Sequence, residues 1–143
     1  MRILFLLLAT QLLFAVGFVQ PAPADTLPGD TLPEGTLDRK ELLDLFHDRT
    51  VESITLHQGR VSFSYYSPTG EVRQLRDGEK RTGFWRVRDD GRICLRMEDN
   101  REKCRIVVHE KDGSYRKYIV KKDGNHEPVV GYRKFIEGNP KNL

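Results

Sequence analysis

From Thr50 onward, short runs rich in Val, Ile, Tyr, Phe and Thr alternate apolar with polar positions, a period of two that belongs to strands with one face turned inward. Turn signals separate the runs: Gln58-Gly59, Ser67-Pro68-Thr69-Gly70, Asp77-Gly78, Asp89-Asp90-Gly91, Lys111-Asp112-Gly113 and Asp123-Gly124. The pattern predicts eight strands, over Thr50–Leu56, Arg60–Tyr66, Glu71–Arg76, Thr82–Arg88, Arg92–Met97, Lys103–Glu110, Ser114–Lys121 and Pro128–Ile136. Short connections between consecutive strands make this an antiparallel meander. The expected fold is therefore mainly β, an up-and-down barrel or a strongly curved sheet.

Alternation also nominates the inner face. Val61, Phe63 and Tyr65 share one side of their strand, as do Trp85 and Val87, then Ile93, Leu95 and Met97, then Tyr115, Lys117 and Ile119. Lys117 is the misfit. Either its strand turns Arg116, Tyr118 and Val120 inward instead, or the lysine packs its stem and ends at the barrel mouth.

Ahead of the meander the period changes to that of a helix. Leu42, Leu43, Leu45 and Phe46 form an apolar stripe, Asp38 can cap, Glu41 completes a capping box, and Leu37 can staple onto Leu42. A helix over about 38–47 is expected to cover one end or one open side of the sheet. Before it, Thr26-Leu27-Pro28-Gly29-Asp30 is echoed by Thr31-Leu32-Pro33-Glu34-Gly35, too rich in Pro and Gly for helix or central strand. Residues 25–36 read as a flexible linker.

The first residues have the layout of a secretory signal: Met1-Arg2, an apolar run from Ile3 to Val19, and Ala22-Pro23-Ala24 as a cleavage site before Asp25. The rival reading, an uncleaved anchor helix, rests on the length of the run. The expected organisation is a signal over 1–24, the linker over 25–36 and a single β domain over 37–143 in a periplasmic or secreted protein, with no transmembrane segment left after cleavage. Without Arg2 the 24 Lys and Arg become 23, against 21 Asp and Glu, a balance that does not point to nucleic acid.

Two cysteines in an exported chain pair most simply with each other. Cys94 and Cys104 fall on consecutive strands, and a hairpin centred on Asp99 sets them opposite one another, with Arg96 against Glu102 in the same register. A ring of that size contributes roughly 3 kcal/mol by loop entropy.

These cysteines, with Gly83-Phe84-Trp85-Arg86-Val87, Asp90-Gly91-Arg92-Ile93-Cys94 and Glu137-Gly138-Asn139-Pro140, carry a resemblance. From about Leu37 to Leu143 the chain resembles a family of small exported Gram-negative proteins of unknown function whose members look lipocalin-like. The resemblance implies a β-rich, disulfide-containing fold and supplies no catalytic residues. A lipocalin carries its G-x-W on the first strand, whereas Gly83 and Trp85 stand in mid-meander, so a lipocalin-type ligand is not carried over.

Catalytic and metal signatures are missing from the linear sequence. His47, His57, His109 and His126 are scattered, with His109 and His126 the one pair that neighbouring strands could bring together; there is no H-E-x-x-H, G-x-S-x-G, P-loop or dinucleotide fingerprint. No enzyme, no metal and no cofactor is the resulting expectation. Tyr65, Trp85 and Tyr115 are candidates for lining a cavity or for filling the core. Arg86, Arg88, Arg96 and Arg105 are candidates for a basic outer face, with Arg116, Lys121, Lys122, Arg133 and Lys134 beside them. Two functions compete on this reading: a non-enzymatic binding protein for a small amphiphile or anionic group, and a protein-interaction module such as an inhibitor of a secreted or envelope hydrolase.

Overall fold

A computed structural model describes residues 31–98 and 100–143. The signal, its cleavage before Asp25, the first half of the linker and the turn residue Asp99 lie outside the described residues. One helix, α1 (Arg39–Phe46), precedes eight strands: β1 (Arg49–Thr55), β2 (Val61–Tyr66), β3 (Glu71–Arg76), β4 (Glu79–Val87), β5 (Ile93–Met97), β6 (Lys103–His109), β7 (Tyr115–Val120) and β8 (His126–Glu137). Each strand pairs antiparallel with the next, and β8 returns to β1, so the sheet is a closed barrel. Closure satisfies the edges that an open eight-stranded sheet would leave exposed.

The helix starts as its sequence dictates. The Asp38 carboxylate accepts from the Glu41 backbone N–H at 2.8 Å, and Glu41 Oε2 accepts from the Asp38 N–H at 2.8 Å. This reciprocal box satisfies two donors that a helix N-terminus leaves over. Leu42 and Phe46, one turn apart, are fully buried and drive into the barrel end where β1 begins. Phe46 meets Tyr66, Tyr132 and Phe135 edge-on at 4.9, 5.3 and 5.6 Å between ring centres. Val51, Val72, Trp85, Ile93 and Val107 complete the apolar cluster around this plug.

The end of the linker is not a free tether. β5 begins only at Ile93, opposite Arg105, which leaves the second half of β6 without a β5 neighbour on that side. Residues 35–37 take the place: the His109 N–H donates to Gly35 O at 2.9 Å, Thr36 bridges Val108, and the Leu37 N–H donates to Val107 O at 2.9 Å. A Cβ on Gly35 would run into the His109 carbonyl, and its φ of 79° suits glycine as well.

Candidate functional site

Residues that pair directly across a ladder share a face, so the registers show what the barrel encloses. From the Ile93–Arg105, Leu95–Lys103 and Val107–Lys117 pairs, Ile93, Leu95 and Met97 line the lumen together with Lys103, Arg105, Val107 and Lys117. The Cys94–Cys104 pair between them points outward and is joined as a disulfide. On the other wall Ser62, Ser64 and Tyr66 point inward, with Gln74 and Arg76 following on β3.

Two expectations about facing need correction, one for the inner face and one for the outer. Val61, Phe63 and Tyr65 are on the outside of β2, half-buried, because the inner side of that strand belongs to a polar wall. Their outer side is covered by local contacts: the Tyr65 hydroxyl donates to Asp48 at 2.8 Å, and Lys141 Nζ sits 4.0 Å from the Phe63 ring centre. Of the four arginines expected on a basic outer face, Arg86, Arg88 and Arg96 lie there and Arg105 does not. Arg86 is held by Glu102 at 2.6 Å and Arg88 by Asp90 at 3.0 Å, while Arg96 lies over Phe84 at 5.2 Å instead of pairing with Glu102. Arg105, the fourth member, is inside the barrel. Turn acids next to the strands neutralise most of the outer arginines, and strand parity sends Arg105 the other way.

Trp85 and Tyr115 are in the apolar half of the lumen, beside the helix. Trp85 donates its indole N–H to Ser67 O at 2.9 Å and meets Tyr66 edge-on; Tyr115 stacks on His109 at 4.5 Å and touches Phe135. His109 is thus occupied by Tyr115 at the helix end, while His126 opens β8 at the other end, so these histidines do not meet.

The half of the lumen away from α1 is a cavity of about 420 Å³. It lies among the end of β3, the start of β4, the β5–β6 turn, the start of β6, the end of β7 and the start of β8. One wall is apolar, with Leu95, Met97, Ile119, Val129 and Val130; another carries Ser53, Ser64, Gln74, Tyr66 and Tyr132. Arg76, Arg105 and Lys117 reach in from three strands, and Arg81, Arg101 and Lys103 stand nearer the mouth. No carboxylate lines the cavity among the described residues. Arg81 alone of these six has an acid partner among the described residues, Glu98 at 3.2 Å.

This concentration of one sign is electrostatically costly. Burial holds the Lys117 ammonium down from 10.5 to about 8, and the neighbouring Arg105 and Arg76 push the same way. Arg76 is lowered from its ordinary value, chiefly by burial and next by Arg81. Burial raises the Tyr66 and Tyr132 phenols far above their usual range, so both hydroxyls stay neutral donors. Lys117 Nζ lies 5.6 Å from the centre of the Tyr132 ring, a modest cation–π compensation. Gln74 Oε1, Arg76 Nε and Tyr132 OH are buried without a hydrogen-bond partner among the described residues.

Sequence reasoning flagged Lys117 as a misfit and overlooked Gln74, Arg76, Arg81, Arg101 and Lys103. For Arg105 and Lys103 a signal was at hand: once Cys94 and Cys104 are set opposite one another, their neighbours Arg105 and Lys103 must share the face of Ile93 and Leu95. The cluster of Cys94, Cys104 and Glu102 lies within 4.8 Å, but both sulfurs are tied in the disulfide and are not metal ligands in that state. Searches against protein families, curated proteins and solved structures return no match to this chain.

Proposed function

We propose that this is a binding protein whose barrel lumen takes up one small anionic molecule, with binding rather than turnover as its role, in the exported compartment that the leader implies. The observation that carries the reading is the convergence of Arg76, Arg105 and Lys117 in one cavity that no described carboxylate enters. Confined like charges repel, and an anion placed between them relieves that repulsion and supplies acceptors for their N–H groups. Arg76 Nε and the Tyr132 hydroxyl are donors with no partner among the described residues, which supports an acceptor-rich guest. The apolar wall of Leu95, Met97, Ile119, Val129 and Val130 gives the rest of the guest a place to shed water. The cavity volume is in the range of sites for small molecules.

The test compares two fluorescent probes of closely similar shape, an anilinonaphthalene sulfonate and the uncharged phenylnaphthylamine. The sulfonate is expected to bind at least tenfold more tightly, to weaken as salt is added, and to lose most of its affinity in Arg105→Gln and Arg76→Gln. Equal binding of the two probes, or sulfonate binding indifferent to both substitutions, would refute the reading.

A further inference from the structure

Lys117 shares the cavity with Arg76 and Arg105, and its position suits a further task. Its strand neighbours direct it inward: the Val107 and Val130 partners on either side are both lumenal, so the lysine stem passes between packed apolar groups before the amine reaches the cavity. The lysine is half-buried, whereas Lys103, the other lysine of the cavity, is exposed at the mouth. No described carboxylate lines the cavity to fix the amine as an ammonium ion, and the guanidinium groups of Arg76 and Arg105 reach into the same cavity. A lysine amine set in an apolar strand environment beside permanent cations is the arrangement that makes a nitrogen nucleophile.

We propose that Lys117 captures carbonyl compounds: its amine condenses reversibly with the aldehyde or ketone of a small anionic guest whose anionic group is held by Arg76 and Arg105. This rests on the anion-binding reading of the lumen. The nitrogen lone pair forms the new C–N bond while the carbonyl π pair moves to oxygen. The two amine protons are passed to that oxygen, which departs as water when the C=N bond forms. Nothing is oxidised or reduced, and hydrolysis restores amine and carbonyl. With the amine titrating near 8, roughly a tenth of it is neutral at pH 7, against well under a hundredth for an ordinary lysine. The Tyr132 hydroxyl, neutral and without a partner among the described residues, is a proton donor in the same cavity for the departing oxygen.

The experiment uses pyridoxal 5′-phosphate, an anionic aldehyde, with cyanoborohydride to trap the imine, and pyridoxine 5′-phosphate as the matching anion without a carbonyl. Peptide mapping is expected to find the reduced adduct on Lys117 ahead of the surface lysines. An excess of pyridoxine 5′-phosphate is expected to suppress it, Arg76→Gln and Arg105→Gln are expected to lower it, and Lys117→Arg is expected to abolish adduct at this position. If pyridoxine 5′-phosphate binds in a manner dependent on Arg76 and Arg105, yet adducts spread over surface lysines and spare Lys117, the capture proposal falls and the anion reading stands. If neither pyridoxine 5′-phosphate nor the naphthalene sulfonate binds, both fall.

Discussion

Replacing Lys117 with Met removes one charge from the lumen and keeps an unbranched side chain that fits the same channel between Val107 and Val130. The lysine titrates near 10.5 in the unfolded chain and near 8 in the barrel. The unfolded state therefore holds its proton more tightly, and protonated Lys117 opposes folding. Each tenfold difference in proton affinity is worth about 1.4 kcal/mol, so the cost at pH 7 is about 3 kcal/mol before solvent reaching the lumen screens part of it. That cost is complete below pH 8 and fades as pH rises through the window from 8 to 10.5, falling to about 1 kcal/mol at pH 10. Lys117→Met is thus expected to stabilise the ligand-free protein by about 1–3 kcal/mol at pH 7, in line with the replacement of other buried charges by apolar groups. Urea titration followed by the fluorescence of Trp85, the single tryptophan, measures this at both pH values. A variant that is less stable than the parent at pH 7, or a gain that does not shrink at pH 10, would refute the electrostatic account of the lumen.

Further expectations concern the frame that holds the cavity. Opening the Cys94–Cys104 bond with reductant, or replacing both residues with Ser, is expected to cost about 3 kcal/mol and to lower the urea midpoint; an unchanged midpoint would mean that the bond does not restrain the β5–β6 hairpin. Gly83→Ala is expected to destabilise by about 1–3 kcal/mol, because the new methyl would collide with the Arg96 carbonyl oxygen and the Met97 backbone, neither of which can swing away. Gly131→Ala is the control. Its methyl would meet only the Ile54 and Leu56 side chains at 3.5 Å, and denaturation midpoints that rank the two substitutions the other way would overturn the packing argument.

The sequence by itself determined the elements and their order. Capping by Asp38 and Glu41, the period of two from Thr50 onward and the Gly-containing turns are local signals, and local hydrogen bonding realises them: the strands form within a few residues of their expected limits, and Cys94 faces Cys104. Which side of a strand faces the lumen was legible where the lumen wall is apolar, as at Trp85 and Ile93 near the helix and at Leu95, Met97 and Ile119 beyond it. On the polar and charged wall of the cavity the rule inverts. Ser62 and Ser64 go in and Phe63 goes out, and Arg76, Arg105 and Lys117 converge from β3, β6 and β7 although the chain separates them widely. That inversion is a property of closure. Side-chain polarity predicts facing when one surface is oil and the other water, but a barrel that keeps a wet, charged chamber at one end has two inner environments. Only the ladder registers, summed around all eight strands, decide which residues share that chamber.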